Sequence, residues 1–157
     1  MIKKKYTFLF IALCLLFSSS CMEDFNDRYF IKDYYVEFEE ATTKNVAVGE
    51  DYVISDQVLS ADNQQVSIQL NLLGPTSSVE QKVAFKVSSE QTTAVSGQDY
   101  QIDDTEVIIP AGKHSATIEL KNSSSGDGES ILVLELVGND LIKPSANYKK
   151  IGIRCRY

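Results

Sequence analysis

The sequence contains a single histidine, no tryptophan, and only three cysteines and three prolines. His114 alone cannot assemble a zinc site, because zinc takes several histidine or cysteine ligands. The chain has no Gly-x-Ser-x-Gly turn, no Walker A loop and no dinucleotide fingerprint, and a nucleophile would also need a base and an orienting group. We therefore expect the protein not to be an enzyme.

Clusters of basic residues are missing beyond residue 5. The formal charge of the chain is −7. Residues 1–20 hold Lys3, Lys4 and Lys5 and no acid, so the remaining segment has 12 basic and 22 acidic side chains and a charge of −10. Because binding to phosphates needs clustered lysine and arginine, we expect no nucleic-acid partner.

A long apolar run is also missing, since the longest one, residues 8–17 (FLFIALCLLF), has ten residues. A membrane-spanning helix needs about 20. The run follows three lysines and precedes Ser18, Ser19, Ser20 and Cys21, which is typical of a secretory signal. This arrangement resembles a bacterial lipoprotein signal, in which Cys21 becomes the acylated first residue. The alternative is an ordinary cleaved signal beside an unmodified cysteine.

The segment after Cys21 is acidic and aromatic. Residues 22–27 (MEDFND) resemble the surface-export signal of Bacteroidota lipoproteins, and the alternative is a solvated linker. We expect a signal peptide at 1–20 and a tether at 21–33. The resemblance implies a palmitate-type anchor, outer-membrane localisation and exposure at the cell surface.

Cysteine usage leaves no disulfide framework. Cys14 belongs to the expected signal peptide and Cys21 would be acylated, so Cys155 is left alone. Cys155 alternates with Ile151 and Ile153, and we expect it to be a buried, inert thiol.

Apolar and polar residues alternate with a period of two in several segments, whereas helical periodicity is absent. The clearest segments are residues 66–72, 83–87, 116–121 and 151–156. Residues 131–137 (ILVLELV) are apolar on both faces except at Glu135, which predicts a central strand. Residues 35–38, 52–59 and 105–109 are further strands. We predict an all-β, antiparallel, immunoglobulin-like β-sandwich of seven or eight strands over residues 34–157.

Two motifs carry a family resemblance. Residues 93–100 (TAVSGQDY) are followed by residues 108–112 (IIPAG), a strand, an acidic loop and the strand at 132–136. This order resembles the Calx-beta fold. It is more similar still to uncharacterised Bacteroidota lipoproteins, which are often encoded beside glycan-uptake systems.

Backbone chemistry accounts for the same motifs without a function. We expect Gly97 to take a positive φ and Asp99 to cap backbone N–H groups in the turn. Tyr100 would plug one end of the sandwich, with its hydroxyl bonded to backbone. Pro110 and Gly112 would end one strand and turn the chain into the next.

The Calx-beta resemblance implies a calcium site at one end of the sandwich, where several carboxylates gather. Two strands separate the loop at 89–104 from the loop at 122–129, so both lie at the same end. The candidate ligands are Asp99, Asp103, Asp104, Asp127 and Glu129. The loop that is usually a run of aspartates reads NSSS at residues 122–125. The alternative is that these acids are capped turns and solvated side chains.

Three functional readings remain open. The first is a lipid-anchored cell-surface accessory module that binds a glycan or a protein in glycan uptake or adhesion. The second is a structural spacer or assembly lipoprotein. The third is a calcium-stabilised Calx-beta module. Membrane attachment through the N-terminal lipid is expected under all three, and no cofactor other than calcium is expected.

Overall fold

A computed structural model describes residues 33–123 and 128–156, which contain ten strands and one short helix. The expected signal peptide, Cys21, nearly all of the expected tether and Asp127 lie outside these residues. Within them, no helix has the length and apolarity that crossing a membrane requires. In chain order the elements are β1 (Tyr34–Phe38), α1 (Glu39–Thr43), β2 (Val53–Leu59), β3 (Gln65–Leu73), β4 (Gln81–Val87), β5 (Tyr100–Gln101), β6 (Glu106–Ile109), β7 (Ser115–Asn122), β8 (Glu129–Gly138), β9 (Ile142–Pro144) and β10 (Lys150–Arg156).

The strands form two five-stranded sheets that pack face to face. Sheet A has the order β5-β7-β3-β1-β9, and sheet B has the order β2-β10-β8-β4-β6. One side of each alternating strand faces the shared core, as Ile68 and Leu70 do in β3 and Ile151 and Ile153 do in β10. The predicted β-sandwich is confirmed.

Strand β8 is central in sheet B, as its sequence predicted. Leu132 and Leu134 face the core, and Val133 is fully buried on the opposite side of the strand. Gly152 of β10 is the cross-strand partner of Val133, and the Tyr52 ring packs over this glycine. A Cβ at Gly152 would lie 2.7 Å from Tyr52 Cε2. Tyr52, the residue before β2, therefore packs on the outer face of sheet B over the cross-strand partner of Val133.

The expected strand count and the expected strand directions need correction. The described residues contain ten strands because β5 and β9 have two and three residues, too few to show an alternating pattern. The sheets are mixed rather than purely antiparallel, since β1 pairs parallel with β9 and β2 pairs parallel with β10. Alternation of apolar and polar residues predicts which side chains face the core. It does not indicate whether two neighbouring strands run parallel or antiparallel.

Candidate functional site: a groove between two edge strands

The turn before β5 is held by its own side chains. Gly97 has a φ of 79°, and its N–H donates to the Tyr100 carbonyl at 2.8 Å. Asp99 Oδ2 accepts a hydrogen bond from the Val95 N–H at 2.8 Å. Tyr100 is buried, which raises the pKa of its hydroxyl, and the Ser96 side chain is a hydrogen-bond partner of that hydroxyl. The motif thus closes one end of the sandwich.

A second turn joins β6 to β7. The Pro110 carbonyl accepts a hydrogen bond from the Lys113 N–H at 3.0 Å, and Gly112 has a φ of 71°. The Gly112 N–H donates to the Ser77 carbonyl at 2.8 Å. Because β6 belongs to sheet B and β7 to sheet A, the turn passes from one sheet to the other. It therefore places the outer strand of sheet B beside the free side of β7.

The two loops that hold the candidate calcium ligands lie at the same end. Tyr100 pairs with Asn122, and Ser130 Oγ donates to Asp99 Oδ2 at 3.1 Å. Glu129 precedes Ser130 in a strand, so its side chain points to the opposite face. There it accepts a hydrogen bond from Arg156 Nη2 at 2.9 Å. Strand alternation thus separates Glu129 from Asp99.

Asp103 and Asp104, the other candidate acids among the described residues, have different surroundings. Asp103 Oδ2 lies 2.5 Å from Lys121 Nζ, and this contact, with a hydrogen bond from Gln101, holds the pKa of Asp103 below its ordinary value. Asp104 is exposed beside Glu106. Within residues 33–123 and 128–156, no three His, Cys, Asp or Glu side chains lie close enough to hold a metal ion.

A groove runs between β6 and β7 on the open side of the sandwich. It consists of two adjoining hollows of about 280 and 540 Å³, both bordered by Asp104, Glu106, Val107 and Thr117. We call it the β6–β7 groove. The smaller hollow also touches Phe85, Ile102 and Ile118. The groove therefore has an apolar interior and a polar rim.

Among the described residues, both strands that border the groove have backbone groups without a hydrogen-bond partner. In an antiparallel ladder, alternate residues bond to the neighbouring strand. The Phe85 N–H donates to the Thr105 carbonyl at 3.0 Å, which fixes Thr105, Val107 and Ile109 as the residues of this segment that bond to β4. The N–H and C=O groups of Glu106 and Ile108 consequently point away from β4.

The same argument applies to β7. The Leu72 N–H donates to the His114 carbonyl at 2.7 Å, so the even-numbered residues of β7 bond to β3. The backbone groups of Ser115, Thr117 and Glu119 point toward the groove. Strand β5 covers only the last two residues of β7.

The rim of the groove is acidic. Its charged residues are Asp103, Asp104, Glu106 and Glu119 against Lys82 and Lys121. Hydrogen bonds from Gln65 and Ser67 hold the pKa of Glu119 below its ordinary value. Among the described residues, no cation lies within ion-pair distance of Asp104 or Glu106. The rim therefore keeps uncompensated negative charge.

The opposite edge of sheet B is formed by β2 and differs from β6, because side chains from α1 and from Lys44 cover it. At β2, Glu40 of α1 accepts hydrogen bonds from Ser55 Oγ at 2.7 Å and from the Asp56 N–H at 2.9 Å. Lys44 Nζ lies 2.5 Å from Glu40 and 3.4 Å from the Ile54 carbonyl. Unpaired sheet edges are adhesive, and proteins usually cover them. Within residues 33–123 and 128–156, side chains cover β2, whereas no segment covers the β6–β7 groove.

Neither His114 nor Cys155 has the surroundings of a catalytic group. His114 is exposed at the start of β7. Cys155 is fully buried, and burial raises the pKa of its thiol to about 11. A thiol at this pKa is protonated and unreactive at neutral pH.

The sequence did not reveal the groove. The short Pro-Ala-Gly turn indicated that two strands follow each other closely, but it did not show that they belong to different sheets. One residue could have indicated it. Ile108 is an apolar residue on the polar side of a four-residue strand, and its side chain is 49% exposed.

Comparisons with known proteins support the architecture. No protein-family model and no curated protein matches this sequence. Among solved structures, the apo-form Calx CBD1 domain superposes with a TM-score of 0.53 at 12% identity, covering 78% of this chain and 96% of that one. The CBD12 structures from CALX1.2 and CALX1.1 give TM-scores of 0.53 and 0.51 at 11% and 13% identity, over 76% of this chain. The match spans 44% and 43% of those two chains. The described domain therefore has a Calx-beta-like fold.

Proposed function

We propose that the chain is a lipid-anchored accessory module at the surface of the outer membrane, where it binds a partner in glycan uptake or adhesion without catalysing a reaction. The observation that carries the proposal is the open β6–β7 groove, with unpaired backbone on both sides and uncovered acidic charge. The segment ending in Cys21 supports the anchor, since each buried methylene contributes about 0.8 kcal/mol and several acyl chains hold a soluble domain on a bilayer.

Cell fractionation of the wild type and of Cys21→Ser tests the anchor. We expect the wild type in the outer-membrane fraction, degraded by protease added to intact cells and acylated at Cys21 by mass spectrometry. The serine variant should be released from the membrane. A wild type with an unmodified Cys21 that remains soluble would end the proposal.

A pull-down from solubilised outer membranes tests the partner. An accessory module should retain a specific protein or glycan, whereas a structural spacer should retain none. Glycan arrays separate the two partner classes.

A calcium-stabilised module is the second candidate, favoured by one comparison, whose printed title describes CBD12 of CALX1.1 as a calcium binding domain. A ligand that binds only the folded state raises its stability. The test is the melting temperature in millimolar calcium against EGTA, with magnesium as control. A rise specific to calcium would support this candidate, and equal melting temperatures would remove it.

A further inference from the structure

We propose that β6 is the docking edge for an extended segment of another protein, in which lysine or arginine alternates with apolar residues. The segment adds to sheet B as a sixth strand beside β6 and fills the β6–β7 groove. This inference rests on the proposed function, because it names the partner that an accessory module would bind.

The outward-facing backbone groups of β6 can pair with an added strand. Glu106 and Ile108 direct two N–H and two C=O groups away from β4. An extended peptide can satisfy all four by strand addition, a common mode of peptide recognition. A covering side chain like Glu40 at β2 is not seen at β6 among the described residues.

The side chains of β6 select the peptide. A paired strand presents successive side chains to opposite faces. On the outer face, one peptide side chain meets Glu106, which favours a basic residue. The next one on that face meets the exposed Ile108, which the methylene stem of a second lysine or arginine can cover. The peptide residue between them points into the hollow bordered by Val107, Ile118 and Phe85, which favours an apolar residue. The recognised pattern is therefore basic, apolar, basic across three residues.

The negative charge of the groove favours a basic peptide over the other possible occupants, a second copy of the chain or a sugar. Two copies paired through β6 would bring the Asp104 and Glu106 carboxylates of both copies together, and like charges across a ladder are destabilising. A sugar would stack on an exposed aromatic ring, and Phe85, the one aromatic residue that borders the groove among the described residues, is buried. A basic extended peptide complements both the acidic rim and the unpaired backbone.

The probe is a fluorescein-labelled, capped nonapeptide of alternating lysine and valine, added to the acylated full-length protein in non-ionic detergent. Fluorescence anisotropy measures its dissociation constant. Two comparison peptides have glutamate in place of lysine, or N-methyl groups on alternate backbone nitrogens at unchanged charge. We expect both to bind at least tenfold more weakly.

The matched variants are Ile108→Pro, Glu106→Lys and Glu50→Lys. Ile108→Pro removes an outward N–H and no bond to β4, which an edge strand tolerates. We expect each groove variant to raise the dissociation constant at least tenfold. Glu50 is exposed beside β2 at the opposite edge of sheet B, and its charge reversal should change the constant by less than twofold.

The inference is overturned if the N-methylated peptide binds as well as its parent, or if Glu50→Lys weakens binding as much as Glu106→Lys, since either result indicates charge attraction without strand pairing. Dimerisation abolished by Ile108→Pro would identify a second copy as the occupant and would also overturn it. If Ile108→Pro fails to fold, the peptide comparison still decides. A partner captured from outer membranes equally by wild type and Glu106→Lys would contradict the inference and leave the proposed function standing.

Discussion

At the scale of single residues, Glu40 connects three parts of the chain. Its carboxylate accepts hydrogen bonds from Lys44, Ser55 and the Asp56 backbone. Burial raises its pKa, but these bonds outweigh burial and leave the pKa below the ordinary value of 4.5. A carboxyl with a lowered folded pKa stabilises the protein above its unfolded pKa and loses that contribution as the pH falls through the folded value.

We therefore expect Glu40→Gln to lower the free energy of unfolding by about 1 kcal/mol at pH 7, discounted for partial exposure. The deficit should shrink as the pH falls below 4.5 and the wild-type carboxyl itself becomes protonated. Urea denaturation of both proteins across this range measures it. Glu80→Gln, at an exposed residue, should follow the wild type, and a deficit independent of pH would contradict the assignment.

Two glycines with similar positive φ differ in their surroundings. Gly97 has no heavy atom within 4 Å of an added Cβ, whereas a Cβ on Gly138 would lie 2.1 Å from the Ile142 carbonyl oxygen. We expect Gly97→Ala to cost about 1–2 kcal/mol from the left-handed conformation alone. Gly138→Ala should cost clearly more, about 3 kcal/mol or above, because the β8–β9 turn must move. Chemical denaturation ranks the two, and equal losses would contradict this.

At the scale of elements, substitutions in β8 test which of its side chains face the core. Leu134 is fully buried and Val137 is 49% exposed. Truncation to alanine should cost about 2–5 kcal/mol at Leu134 and less than about 0.5 kcal/mol at Val137. Thermal unfolding of the two variants gives the comparison. A large loss at Val137 would mean that a further contact covers this residue.

The faces of the long strands could be read from the sequence, whereas their arrangement could not. Ile68, Ile118 and Ile153 each stand on the apolar side of an alternating run, and all three are buried. Pairing direction depends on contacts between distant segments, so the parallel pairing of β2 with β10 left no local signal.

The candidate site was predictable only in part. The strand count correctly placed the loops around Asp99 and Glu129 at one end. It could not show that these carboxylates face different sides, because that depends on where β8 begins. The unpaired edge of β6 depends on which strand ends each sheet, and only the three-dimensional structure defines it.

At the scale of the whole molecule, Cys155 reports on global unfolding. Its thiol is fully buried between core side chains and has a pKa of about 11. In the full chain with Cys14→Ser and Cys21→Ser, it is the sole thiol. We expect Ellman's reagent to leave it unmodified in the native protein and to react within the dead time in denaturing urea. Rapid reaction of the native protein would indicate local opening of β10.

The position of β10 has a consequence for synthesis. It lies between β2, which ends at Leu59, and β8, yet it begins only at Lys150. A chain made from its amino terminus therefore holds β2 without a ladder partner until the segment from Lys150 onward has emerged. The edge strand β2 can join sheet B only after this later segment has taken its place between β2 and β8.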